Sequence, residues 1–355
     1  MMSPQNKTSV GILGATGIVG QRFIQMLENH PWFEVGWVAA SERSEGKLYG
    51  EAVRWRLKSD LPAKIAGMQL SPATSANGAP KVIFAALDAS VATELEPRFA
   101  EAGCAVISNS SAFRMHPQVP LVIPEANADH IALIETQPWR KKSGGYMVTN
   151  PNCSAIGLVL ALAPLYQRFG LKAVMAVTMQ AISGAGYPGV ASLDILGNVV
   201  PYIPKEEEKM AEETCKLLGK LEAGAIIPAS FDVSTQCNRV AVEDGHTESV
   251  SIQLGRPAKA EEVLAAWNEF RGVPQELKLP SAPERPIVYL VAEDRPQPRF
   301  DCDRGAGMTT SVGRLRACGV LDWKFTVLSH NTIRGAAGAA LLNAELLHTK
   351  GLLPQ

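Results

Sequence analysis

The chain has 355 residues, 46% of them apolar and 19% charged, with a net charge of −1. That length exceeds one ordinary hydrophobic core and predicts two domains, each with a well-buried interior. Lysine and arginine are scattered rather than clustered, which removes the electrostatic case for nucleic acid or a membrane surface. The first residues carry no apolar signal core, and the longest apolar run, Ala155 to Leu165, is too short to span a bilayer. The six cysteines are widely spread, so free thiols in a reducing cytoplasm are expected rather than a disulfide framework. Two sequons, at Asn6 and Asn109, carry no meaning without secretion.

Ser9 to Leu13 reads as a short strand that runs into Gly14-Ala15-Thr16-Gly17-Ile18-Val19-Gly20, followed by an amphipathic helix over 18–29. Further strands are predicted at Phe33–Ala40, Lys81–Ala86 and Ala105–Ser108, with a helix over Val91–Ala102. Strand–helix alternation with glycines at the first turn predicts an α/β fold, a Rossmann-type doubly wound parallel sheet. The Gly-x-x-Gly-x-x-Gly spacing departs by one residue from the dinucleotide fingerprint, but its place between strand and helix is the one a pyrophosphate site requires. About twenty residues on comes Ser41-Glu42-Arg43-Ser44. Arginine flanked by serines suits the 2′-phosphate of NADP, whereas Glu42 would suit a ribose hydroxyl.

Asn150-Pro151-Asn152-Cys153-Ser154 precedes an apolar helix. A thiol at a helix start feels unpaired N–H groups and the positive end of the dipole, both of which favour the nucleophilic thiolate. Beyond it the pattern changes. Strands over Ala173–Ala181, Glu248–Leu254, Pro286–Ala292 and Thr309–Ala317, with helices over Glu206–Leu221 and Ala260–Phe270, predict an α+β domain on a mostly antiparallel sheet. Leu279–Pro286 and Asp294–Arg304 read as exposed loops, and Thr332–His348 as an alanine-rich helix. Gln180 ends a strand before a glycine turn, and Arg239 and His246 bracket a short strand-and-turn segment. An amide that orients a carbonyl, a guanidinium that clamps a carboxylate and an imidazole that exchanges protons are the equipment of an acyl-group reductase beside a nicotinamide. The six histidines show no ligand spacing, so no metal is expected.

These motifs resemble the aspartate-β-semialdehyde dehydrogenase family, in its archaeal and fungal branch, from end to end. The markers are the 14–20 glycine turn, Asn152-Cys153-Ser154, Gln180 to Gly189, Glu206 to Lys209, Arg239 to His246, and Asn331 to Gly338. The resemblance implies residues 1–150 with 331–355 as the NADP-binding domain and 151–330 as the catalytic and dimerisation domain. It implies Cys153 as nucleophile, His246 as acid/base, Gln180 as a positioning group and Arg239 on the substrate α-carboxylate. Glu207 would meet the substrate amino group, with the register among Glu206, Glu207 and Glu208 open by one. Arg114, Asn152 and Lys209 would hold phosphate. Gly14, Thr16, Gly17, Ile18, Val19, Ser41, Arg43, Ser44, Ser183, Gly184 and Asn331 would line NADP.

The implied reaction is reductive dephosphorylation of L-aspartyl-4-phosphate, on the route to lysine, methionine and threonine, in a cytoplasmic homodimer or homotetramer. A reductase of another activated acyl group, such as malonyl-CoA, shares the scaffold and its chemistry. An inactive NADP-binding regulator is the alternative of a different class.

Overall fold

The computed structural model describes residues 7–354; Asn6 of the first sequon and the side chain of Glu42 lie outside what it describes. The chain forms two compact units, one of residues 1–121, 131–150 and 340–355, the other of 122–130 and 151–339.

The first unit is built on β1 (Thr8–Leu13), β2 (Phe33–Ala40), β3 (Ser71–Pro72), β4 (Val82–Ala85), β5 (Ala105–Ser108) and β6 (Tyr146–Thr149). All neighbours run parallel in the order β3-β2-β1-β4-β5-β6. This is the doubly wound arrangement, in which ligands bind beyond the carboxyl ends of the strands where the order reverses, between β1 and β4. The central strands are buried on both faces, which is why their sequences are continuously apolar rather than alternating. Helix α1 (Ile18–Leu27) leaves β1 through the glycine turn, and α2 (Ala89–Glu101) follows β4. β6, with four residues and no punctuation before it beyond two glycines, escapes the sequence reading.

The second unit begins with helix α3 (Cys153–Phe169), followed by β7 (Leu171–Gln180) and α4 (Glu206–Leu217). The small hairpin β8 (Lys220–Glu222) and β9 (Ala225–Ile227) comes next. Then come β10 (Asp232–Arg239), β11 (His246–Leu254), α5 (Ala260–Glu269), β12 (Ile287–Leu290), β13 (Thr310–Ala317) and β14 (Trp323–Ser329). The sheet order is β10-β7-β11-β14-β13-β12; the three inner pairings are antiparallel and the two outer ones parallel. Ten of the first thirteen residues of α3 and its last Phe are buried apolar groups, so this helix is the spine of the unit.

Three sequence readings are corrected here. The helix from Glu206 stops at Leu217, because Gly219 and the 223–224 turn start the hairpin. Asp294–Arg304 is not simply exposed: Asp301 is buried, accepting from Arg304 Nε at 2.9 Å and from the main chain of Gln297, and pairs with Arg295. The C-terminal helix opens with a π-helical turn over Ile333–Ala337 before α6 (Gly338–Thr349). Such turns gather at functional sites.

Candidate active site

Four elements of the second unit deliver its polar centre. Cys153 is the first residue of α3, and its Sγ lies 3.2 Å from His246 Nε2, at the start of β11. Arg239 and His246 do not flank one strand, as the sequence suggested; Arg239 closes β10 and His246 opens β11, with a turn between. β10 and β11 both pair with β7, so Gln180, at the end of β7, lies in the same stretch of sheet. The signal for β10, a polar strand Asp-Val-Ser-Thr-Gln-Cys-Asn-Arg with only two of its eight residues buried, was too weak to read.

The tautomer of His246 follows from geometry. Its Nδ1 accepts the Ala181 N–H at 3.0 Å, so the ring proton belongs on Nε2 and faces the sulfur. Burial, with added repulsion from Arg239 and His330, pushes the imidazole down to about 3, so it is neutral near pH 7. Arg239 is buried and donates from Nη1 to the Ala181 carbonyl at 2.8 Å. One main-chain residue thus holds both the imidazole and the guanidinium.

Glycine is required beside them. A Cβ on Gly184 would sit 2.8 Å from Arg239 Nη1 and 3.0 Å from His246 Cε1. One on Gly335, in the π-helical turn, would sit 2.8 Å from the Cβ of Cys153. Asn331 ties the neighbourhood together: its Oδ1 accepts from Gly245 N and its Nδ2 donates to Ser183 Oγ, both at 2.8 Å.

Asn152 is the N-cap of α3. Its Oδ1 accepts from Ser154 N at 2.8 Å and Ala155 N at 3.1 Å, while its Nδ2 donates to Glu206 Oε1 at 2.8 Å. Of the three glutamates, Glu206 is the one that meets the cap. Glu206 is buried against the cap, whereas Glu207 turns away and accepts the Cys237 N–H at 2.9 Å on β10. The reason is helical phase: 206 shares the buried face of α4 with Met210 and Glu213, and 207 does not. Lys209 stands 3.9 Å from Glu206 Oε2, one turn on. Gln180 is buried and donates to Thr178 Oγ1 at 3.3 Å.

In the first unit, Gly14 has φ +86°, and a Cβ there would fall 2.4 Å from the Ala86 carbonyl; one on Gly20 would fall 2.4 Å from Gly14 O. Gly17 is different, since its Cβ would meet nothing nearer than 3.5 Å. Glycine at 17 therefore leaves room above the turn rather than relieving a clash. Gly17 offers no side-chain cap, and the first turn of α1 with Ile18 and Val19 carries no acid, so no carboxylate there opposes an anion. Thr16 precedes this start in the same turn. Ser41 and Arg43 are exposed and Ser44 half-buried, in a short turn at the end of β2. Arg114 is buried, with Nη2 on the Asn109 carbonyl at 2.7 Å.

Cys302, Asp303 and His330 come together with donor atoms within 4.8 Å of one another, a grouping that sequence spacing did not reveal. His330 Nδ1 accepts the Thr332 N–H at 3.3 Å, which puts the ring proton on Nε2, facing the Asp303 carboxylate at 3.7 Å. A proton on Nε2 leaves that nitrogen no lone pair for a metal.

The chain matches the family models "Semialdehyde dehydrogenase, NAD binding domain" over residues 9–134 and "Semialdehyde dehydrogenase, dimerisation domain" over 162–334. It is 51% identical to the aspartate-semialdehyde dehydrogenase of Methanothermobacter thermautotrophicus over 96% of this chain and 99% of that one. The chain belongs to the aspartate-semialdehyde dehydrogenase family. It is 44% identical to the family member of Trichophyton rubrum, over 99% of this chain and all of that one, so archaeal and fungal relatives both stand close. The crystal structure of the family's Candida albicans enzyme with NADP superimposes with a TM-score of 0.90 at 44% identity, covering 97% of this chain and 99% of that one. Membership makes the protein an oxidoreductase, and its second unit carries the family's dimerisation domain, which makes it an oligomer. Among the described residues no helix is long and apolar enough to cross a membrane.

Proposed function

We propose that the protein catalyses the NADP-dependent reductive dephosphorylation of L-aspartyl-4-phosphate to L-aspartate 4-semialdehyde, with Cys153 as nucleophile. The observation that carries this reading is the Sγ–Nε2 contact of 3.2 Å at the head of α3. The helix start and the Nε2–H of a neutral His246 favour the thiolate without a formal ion pair. Sγ attacks the acyl carbon, the C–O bond to phosphate breaks, and inorganic phosphate leaves a thioester on Cys153. NADPH, when bound, supplies the hydride that reduces it. His246 Nε2–H, 3.2 Å from Sγ, would donate to the hemithioacetal oxygen, and C–S cleavage returns the thiolate and releases the aldehyde.

Arg239 is assigned to the α-carboxylate and Glu206, rather than Glu207, to the α-ammonium. Lys209 serves the phosphate, and Gln180, held by Thr178, orients the acyl group. Asn152 acts chiefly as the cap that presents Cys153. The phosphate role of Arg114 and the cofactor roles of Ser183, Gly184 and Asn331 rest on the sequence resemblance. Residues 1–150 with 331–355 are proposed as the NADP-binding domain and 151–330 as the catalytic and dimerisation domain, in a cytoplasmic homodimer or homotetramer. The room above Gly17, the uncapped start of α1 and the exposed Arg43 support NADP as the cofactor.

The test is oxidation of aspartate semialdehyde with NADP and NAD side by side, with and without phosphate. Phosphate-dependent reduction of NADP is expected, abolished by Cys153→Ser while NADP binding persists. Turnover retained in that variant overturns the covalent mechanism, and phosphate-independent turnover overturns the substrate.

A further inference from the structure

The residue before the nucleophile is held from an unexpected side. Asn152 is buried and its backbone is extended (φ −54°, ψ 143°), so its own N–H takes no part in α3. That N–H donates to Glu213 Oε2 at 2.5 Å, across 61 residues of sequence. Glu213 is 1% exposed and lies two turns beyond Glu206 on the inner face of α4. The same helix therefore grips Asn152 twice, through its main chain at Glu213 and through its side chain at Glu206.

A buried carboxylate near a thiolate opposes ionisation, so its presence needs a reason. Without an acceptor the Asn152 N–H would be a buried orphan, and the step from Pro151 to Cys153 would lose a main-chain bond that fixes it from outside α3. Lys216, one turn on, offsets the charge of Glu213. Geometry is what the arrangement gains.

We infer that Glu213 is a positioning residue for the reaction, fixing the Asn152 main chain so that α3 presents Cys153 to His246 and to the substrate held by Glu206. The inference rests on Cys153 being the nucleophile. Because Glu206 and Glu213 share one rigid helix, the group that recognises the substrate amino end and the group that aims the sulfur keep a fixed separation.

The function of Glu213 is to accept a hydrogen bond at a set reach, and three substitutions separate that from charge and from packing. Glu213→Gln keeps the acceptor and its reach. Glu213→Asp keeps the charge but falls short by one methylene. Glu213→Ala removes both. In the intact oligomer, kcat is expected to fall roughly 10²-fold in the Asp and Ala variants, as for a misplaced reacting group, with KM for the semialdehyde nearly unchanged. The Gln variant should stay near wild type. Alkylation of Cys153 by iodoacetamide should slow in the same two variants, with NADP binding preserved in all three.

The inference fails if Ala lowers the melting temperature but leaves kcat within about twofold of wild type, a merely structural result. It also fails if Gln falls as far as Ala, since charge would then be what matters. Loss of phosphate-dependent turnover in the wild type itself would overturn the substrate reading, and the alkylation series would still report on Glu213.

Discussion

His246 shows how one main-chain contact selects a side chain's chemistry. An imidazole with Nδ1 against the Ala181 N–H has a single proton and a single place for it. Its pKa of about 3 in the fold, against 6.5 when exposed, leaves it neutral while the unfolded chain takes up a proton. Stability from this group is thus full above pH 6.5 and is lost as the pH falls toward 3. His246→Asn removes that dependence. Its melting temperature is expected to drop less than that of wild type between pH 7 and pH 5, the difference corresponding to about 2 kcal/mol. Equal drops in the two proteins, read by thermal melts at several pH values, would show that the imidazole is charged in the fold.

The element that closes the second unit carries a fully buried ion pair. Arg334 lies in the π-helical turn beside Gly335 and meets Glu125 through two bonds, at 2.8 and 2.6 Å, with neither side chain exposed. Removing one partner strands the other charge in the interior. Arg334→Met is expected to cost about 3–5 kcal/mol in urea unfolding, and Glu125→Gln added to it should restore part of the loss. Because the turn packs Gly335 against Cys153, activity should fall before global unfolding does. The sequence reading took this segment as an ordinary helix start. Alanine and glycine declare helical propensity and close packing, but not the extra residue of a π turn, nor that the glycine at 335 faces the Cβ of Cys153.

At the scale of the molecule, the two units differ in fold type. The parallel sheet of the first ends its central strands at the glycine turn, and the mixed sheet of the second lines up Gln180, Arg239 and His246 at neighbouring strand ends. Gly14→Ala tests the first alone. A methyl 2.4 Å from a backbone carbonyl, at a positive φ, must displace the turn. NADP affinity, followed by quenching of protein fluorescence, should drop at least about tenfold, the equivalent of 1.4 kcal/mol. Cys153 in the second unit should still be alkylated at the wild-type rate. Unchanged NADP affinity would remove the glycine turn from the cofactor site.

The sequence by itself determined what depends on near neighbours. A strand, a glycine turn and an amphipathic helix announce a doubly wound sheet because their periods and φ requirements are local. Asn152 before Cys153 announces a helix start because a cap lies within three residues of the N–H groups it serves. Only the tertiary structure decided matters of phase and distance. It set Glu206 against Asn152 and left Glu207 exposed, because a rotation of one residue, about 100° of helix, moves a side chain from the core to solvent. It placed the proton of His246 through a backbone N–H that no side-chain pattern encodes. It brought Glu213 to Asn152 across 61 residues, since that contact depends on how α4 lies against α3. Packing of that kind is a property of the assembled core, and no local stretch of residues specifies it.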